Sequence, residues 1–293
     1  MGTEAISSRE IVLLSNASSN EKPSLVIEPT KGLFHVDLLE IWKHRELLYF
    51  LIWRDIKVKY KQTVIGASWA IIQPVMTMII FTVIFGNFAN IPSDGIPYPI
   101  FAYTALLPWT YFSQAVTRTS LGVLGNSVLI TKVYFPRLII PIASAVAPLI
   151  EFCLSFLVLT GLMAWFNVVP TWGIVLLPLF LLLALFTALG VGLFLSALHV
   201  RYRDVGHSIG FLIQFWMYAS PVIYPLSLVP EGWRFLYSLN PMVGVIEGFR
   251  WAILGKVNPD LVAMGLSGGM VVTLLALGIL YFNRMERYFA DVI

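Results

Sequence analysis

The sequence predicts an all-α integral membrane protein. It has six transmembrane helices, an N-terminal amphipathic helix in the membrane interface, a short cytoplasmic helix after span two, and an outer re-entrant helical hairpin between spans five and six. Three observations predict it. Of 293 residues, 58% are hydrophobic and 12% charged, and the mean hydropathy is +0.82, which excludes a soluble globular domain. Six apolar runs approach the ~20 residues that a helix needs to cross a bilayer. The 19 Lys and Arg are also placed unequally, 16 flanking one set of run ends and only Arg234, Arg250 and Lys256 the other. By the positive-inside rule both termini are cytoplasmic. The same basic loops account for the pI near 8.9 without nucleic-acid binding.

Residues 1–34 are rich in Ser, Asn, Glu and Pro without sustained periodicity, which predicts a mobile cytoplasmic tail and no cleaved secretion signal. Residues 35–63 carry Leu38, Ile41, Trp42, Leu48, Tyr49, Ile52, Trp53, Ile56 and Tyr60 on one side of a helix, opposite Glu40, Lys43, Arg54 and Lys61. That is the pattern of an interfacial helix. Its cluster Arg54, Lys57, Lys59 and Lys61 suits anionic phosphate, whether of ordinary acidic lipid or of a phosphate-bearing substrate.

Within the transmembrane domain 64–285, the spans are expected at 64–88, 99–122, 138–166, 172–198, 207–224 and 261–282, with 286–293 a cytoplasmic C-terminus. The inner link 125–137 is long enough for a short helix with Asn126 as cap, and the second inner link, HVRYRDVGH, is compact and ionic. Both read as plain turns or as docking surfaces. Between spans five and six, residues 226–255 are aromatic and apolar but carry Pro230 and Pro241 and the charges Glu231, Arg234, Glu247 and Arg250. Such a segment is too short and too charged for two more crossings, and predicts a shallow hairpin of two short helices. The second has Asn240 as N-cap, Pro241 at its first position and Gly255 to end it. Non-helical backbone at membrane depth requires burial in protein or a watery cavity beside it. Aromatic residues gather near this end, Trp109, Tyr224, Trp233, Tyr237, Phe249 and Trp251 among them. They fit an interfacial belt or the lining of a path over which sugar rings stack.

Several chemistries are missing from the sequence. It holds no phosphate-binding loop, since the one Gly-Lys pair, Gly255-Lys256, has Arg250 where the first Gly should stand. No metal is expected, because the four His show no ligand spacing with carboxylates or with the single Cys153, which also has no partner for an intrachain disulfide. No catalytic constellation is visible. Glu151 is the one acid deep in a span. The expectation for it is a structural hydrogen bond to Ser, Thr or backbone, with Arg118 not at its level.

Five signatures occur in order: Arg54-Asp55, Lys57 and Tyr60 running on to Gly66, Trp69 and Pro74; Asn126, Lys132, Phe135 and Pro136; Arg203-Asp204; Ser220-Pro221-Val222 with Tyr224; and Leu239-Asn240-Pro241 followed by Arg250. In these the chain resembles the membrane subunit of ATP-binding-cassette exporters of lipopolysaccharide O-antigen, capsular polysaccharide and teichoic acid, over about residues 37–285. The resemblance implies a homodimer of this subunit on two separate cytoplasmic ATPase chains, which hold the ATP and Mg while this chain holds no cofactor. It implies a bacterial inner-membrane location and a polyprenyl-linked polysaccharide as substrate, its pyrophosphate meeting Arg54, Lys57, Lys59 and Lys61. It further implies that Asn126, Leu129, Lys132, Phe135, Arg203 and Asp204 couple to the ATPase, and that the 226–255 hairpin gates the exit. An exporter of drugs or small lipids is the alternative within the same class. A proton-driven transporter would show internal repeats and paired intramembrane charges, and the sequence displays neither.

Overall fold

The computed structural model of the chain describes residues 8–9, 28–29, 38–61, 68–255 and 261–292. The expectations for most of the tail, for Gly66 and for Lys256 lie outside these residues. Among those described, β structure is confined to Ser8–Arg9 paired antiparallel with Glu28–Pro29, and every other regular element is helical.

The interfacial segment is two helices, α1 (Leu38–Lys43) and α2 (Arg45–Tyr60). The chain leaves helical geometry at His44, whose ring bonds the Glu40 carbonyl. The expected single apolar stripe is also divided. Leu51, which it omitted, is the buried anchor of α2, while Trp42, Tyr49 and Trp53 face outward.

Next come α3 (Ser68–Phe81), which loosens into a π-helical stretch at Thr82–Phe88, and the 28-residue α4 (Tyr98–Gly125). A six-residue α5 (Ser127–Lys132) leads to α6 (Ile139–Val146) and α7 (Leu149–Trp165). The expected span 138–166 is therefore broken near Pro148, which has no N–H to donate to the helix ladder. A 3₁₀ turn at Trp172–Leu176 opens α8 (Leu177–Arg201). Then α9 (Val205–Tyr218) stops six residues before the expected end at 224, where Pro221 disfavours helical geometry at Ser220. The hairpin consists of α10 (Glu231–Ser238) and α11 (Pro241–Leu254), and α12 (Leu261–Val292) ends the described chain. The expected C-terminus 286–293 thus continues a helix, whose Phe289 is buried.

Among the described residues four helical stretches are long and apolar enough to cross a membrane: Ser68–Phe88, Ile139–Trp165, Trp172–Arg201 and Leu261–Glu286. The other two expected spans fall short for different reasons. Helix α9, at 14 residues, reaches only ~21 Å. Helix α4 is long enough but less apolar, and it is enclosed on many sides, packed by α3, α6, α7, α8, α9 and α11. A helix surrounded by protein need not present apolar surface to lipid on every side.

Close packing of α8 on α12 depends on two glycines. A Cβ on Gly278 would collide with the Gly190 carbonyl oxygen, and a Cβ on Gly190 would sit 2.7 Å from the backbone of α12 at Leu274 and Leu275. Small residues let membrane helices approach in this way. We predict that Gly278→Val lowers the melting temperature in detergent by several degrees, in line with roughly 1–3 kcal/mol for overpacking. The exposed Gly269→Val, whose Cβ would meet nothing within 4 Å, serves as the control and leaves melting unchanged.

Candidate functional site

At one end of the bundle, the hairpin and the turn before it form a connected polar network in an otherwise apolar core. The turn that follows α9 has no helical ladder to receive its carbonyls. Three consecutive ones find side-chain donors instead. The Arg250 Nη2 donates to Val222 O at 3.1 Å, the Tyr98 hydroxyl to Ile223 O at 2.8 Å, and the Arg250 Nη1 to Tyr224 O at 3.4 Å. Arg250 is 0% exposed, bonds Glu247 Oε1 at 2.9 Å, and lies 3.7 Å over the Phe101 ring. A fully desolvated guanidinium is tolerable only with such an anion, carbonyls and an aromatic face.

Asn240 is the second hub, and its amide is used in full. Its Oδ1 accepts from Met242 N at 3.0 Å, the helix cap, and from Trp216 Nε1 at 2.9 Å. Its Nδ2 donates to Ala219 O at 3.0 Å and to Ser220 Oγ at 2.9 Å. At the far end Gly255 takes the left-handed conformation, φ 65°, that closes the helix. From α12, Ser267 Oγ donates toward Ser238 O and Asn240 O and accepts from Gly244 N. The hairpin is therefore moored on three sides. What it leaves outward is one face of α10, with Trp233, Phe235 and Leu236 all more than half exposed.

The expected path residues divide accordingly. Trp233 is exposed, Trp251, Tyr224 and Tyr237 are half-buried, and Tyr237 Oη donates to Tyr224 Oη at 2.9 Å. Trp109 and Phe249 are core residues, packed respectively on Phe112 and on Phe152 and Phe180.

The opposite end of the bundle collects the basic residues. Arg54 pairs with its neighbour Asp55 at 2.8 Å, whereas Lys57 and Lys61 are exposed and make no ion pair among the described residues. Lys59 reaches Glu151 at 2.6 Å, and Arg118 reaches the same oxygen at 2.6 Å. The expectation for Glu151 is corrected on both counts: its partners are cations, and Arg118 is level with it. Glu151 stands in the first turn of α7, which packs against α4, and the long side chains of Arg118 and Lys59 reach it. The Tyr60 phenol, in the same environment, is pushed up to about 12 by burial and then by the Glu151 charge.

Of the remaining expected residues, Leu129 is half-buried and Phe135 buried against Leu51, Ile139, Ile140 and Ala143. Lys132, Arg203 and Asp204 are exposed, as are Val128, Val133, Tyr134 and Tyr202. Asn126 does not cap α5. Its Nδ2 donates backward to Gly122 O at 2.8 Å, closing α4. The sequence reading missed Arg250, Tyr98 and Arg118 as site residues. The available signals were the Glu247 and Arg250 spacing of three on one helix, and two opposite charges inside apolar runs.

The family model described as ABC-2 type transporter matches residues 46–254, from α2 through α11. The chain belongs to the ABC-2 type transporter family. It is 30% identical over 254 residues to the O-antigen export system permease protein RfbA of Myxococcus xanthus, covering 85% of this chain and 96% of that one. The Klebsiella pneumoniae protein of the same name is 26% identical, with 85% and 95% covered. The polysialic acid transport protein KpsM of Escherichia coli is 22% identical, with 81% and 92% covered. An ABC-2 permease is the membrane component of its transporter, and the ATPase is a separate component.

The Asn240 network yields a discriminating test. Asn and Asp are equally good N-caps, but Asp lacks the two donors that Ala219 O and Ser220 Oγ receive. Asn240→Asp is therefore predicted to destabilise the protein by about 1–3 kcal/mol, and Asn240→Ala, which also loses the two accepted bonds, by at least as much, seen as a lower melting midpoint of Trp fluorescence. Equal stability of Asp and wild type would show that capping alone matters here.

Proposed function

We propose that this chain is the membrane subunit of an ATP-driven exporter that moves a polyprenyl-linked polysaccharide outward across the bacterial cytoplasmic membrane. The observation that carries the proposal is the likeness, over more than four fifths of this chain and nearly the whole of each relative, to permeases named for O-antigen export and for polysialic acid transport. These relatives favour a glycan over the drug or small-lipid alternative.

In this reading the chain makes six crossings, with α4 as the shielded central one and α9 as a short one completed by the turn after it. It works as a homodimer with two ATPase subunits, which supply ATP and Mg. This chain contributes no cofactor and contacts membrane lipid. The basic end, where α2, α5 and the ends of α8 and α12 meet, is cytoplasmic, in keeping with the positive-inside rule. There α5, with its exposed Val128 and Lys132 and the neighbouring Arg203 and Asp204, takes the push of the ATPase. Leu129 and Phe135 transmit it by packing against α2 and α6. Arg54, Lys57, Lys59 and Lys61 meet the substrate pyrophosphate, and α10 and α11 form the outer gate. Trp233 is the aromatic surface offered to the glycan, with Trp251, Tyr224 and Tyr237 behind it, while Trp109 and Phe249 hold that surface in place from the core. Each ATP cycle shifts the bundle between two states through differential affinity.

The proposal is tested in cells by deleting the gene and staining surface polysaccharide. Loss of surface glycan with intracellular accumulation of lipid-linked polymer is expected, restored by the wild-type chain. Trp233→Ala is predicted to assemble normally and restore export poorly, at a severalfold lower rate, since it removes the largest exposed aromatic surface of α10. Unchanged surface glycan in the deletion strain refutes export, and full rescue by Trp233→Ala removes Trp233 from the path.

A further inference from the structure

The cluster of Lys59, Arg118 and Glu151 joins three elements, α2, α4 and α7. Its charges do not balance. Two cations converge on one oxygen, Oε1, at 2.6 Å each, and no other carboxylate pairs with either cation among the described residues. The second oxygen, Oε2, is buried without a donor. The side chains are also layered by depth: Glu151 is 7% exposed, Arg118 25% and Lys59 39%. The carboxylate thus lies behind, and the cations lie in front with a surplus positive charge.

Arg118 spends Nη2 on Glu151. Its Nε and Nη1 make no hydrogen bond among the described residues, so part of the guanidinium fork is unused. It stands seven residues before Gly125, the last residue of α4, which is ~10 Å along the helix. A surplus charge at that depth is expensive unless an anion answers it. A structural tie between helices would need one cation. Two, with spare donors turned outward, describe a receptor for an anion with several oxygens, and a guanidinium fork matches phosphate geometry.

We propose that Arg118 and Lys59 bind a phosphate group carried on a lipid, and that Glu151 is the positioning residue that holds the two cations together. The lipid-borne source follows from the surroundings. Helix α2, which carries Lys59, presents Tyr49, Phe50, Trp53 and, next to Lys59 in the chain, Val58 outward, an apolar surface that suits an amphiphile and not a free phosphate ion. Lys57 and Lys61, exposed on the same helix, extend the positive track toward the headgroup region. This inference rests on the exporter reading and adds Arg118 and Glu151 to its substrate site.

The full chain in complex with its ATPase, in phosphatidylcholine nanodiscs, is titrated with a polyprenyl diphosphate, with phosphatidylglycerol and with inorganic diphosphate in solution. Binding of a lipid at lower concentration than inorganic diphosphate is expected. Arg118→Gln and Glu151→Gln should each weaken it by roughly tenfold, the value of one charge-assisted hydrogen bond. Arg118→Lys, which keeps Glu151 neutralised and protects folding, should also weaken it. The Glu151 variant is decisive because removing a negative charge tightens phosphate binding if Glu151 merely repels or competes, and loosens it if Glu151 positions the cations. Arg118 dependence with either lipid supports the site, and the tighter one names the source. Tighter binding by Glu151→Gln, or unchanged affinity in both Arg118 variants with only melting affected, overturns it. If wild-type ATPase activity still responds to lipid-linked glycan in that case, only this site falls. If it never responds, the exporter reading fails as well.

Discussion

A non-helical turn inside an apolar bundle must find donors for its carbonyl groups, and that requirement organises one end of this protein. Water would satisfy such groups at a surface, but a bilayer supplies none. Arg250 and Tyr98 answer the carbonyls of Val222, Ile223 and Tyr224, and Asn240 answers that of Ala219. Arg250 itself needs Glu247 and the Phe101 face to be tolerated without solvent. The turn, α4 and α11 are therefore mutually dependent. A hairpin held this way has few loose arrangements.

Helix α4 links that end to the other. It carries Tyr98 and Phe101 in the hairpin network and Arg118 in the Glu151 cluster, with Phe101 and Arg118 standing 17 positions apart, or ~26 Å of helix. Because α4 is enclosed by its neighbours, its polar residues are chosen for those neighbours and not for lipid. This accounts for its moderate hydropathy and for its failure to stand out as a span by composition. At the basic end α2 and α4 meet through Glu151, which holds Lys59 of the one and Arg118 of the other.

Much of the fold was legible in the sequence where local chemistry decides it. Asn240, Pro241 and Gly255 mark the ends of α11 because capping and left-handed geometry are properties of single residues. The family was legible for a related reason, since its signatures are short and ordered. Partnerships between distant segments were not. Glu151 was expected to lack a cation because depth was judged along its own span, and the sequence does not show that side chains from α2 and α4 reach the same level. Leu51 went unnoticed because α2 has apolar residues on two faces, one for protein and one for lipid, and periodicity alone does not tell them apart. Phe249 and Trp109 carry the same aromatic signal as Trp233, and only the packing separates core from surface.

The central claim is that this chain couples ATP hydrolysis on a separate subunit to the passage of a lipid-linked glycan. The most direct measurement is the ATPase rate of the chain purified and reconstituted with its ATPase, with and without polyprenyl-linked polysaccharide. A stoichiometric complex whose turnover changes with the lipid-linked polymer, and not with the free sugar chain, is the result this account predicts. A complex that forms but responds only to small amphiphiles, or a chain that recruits no ATPase, would contradict it.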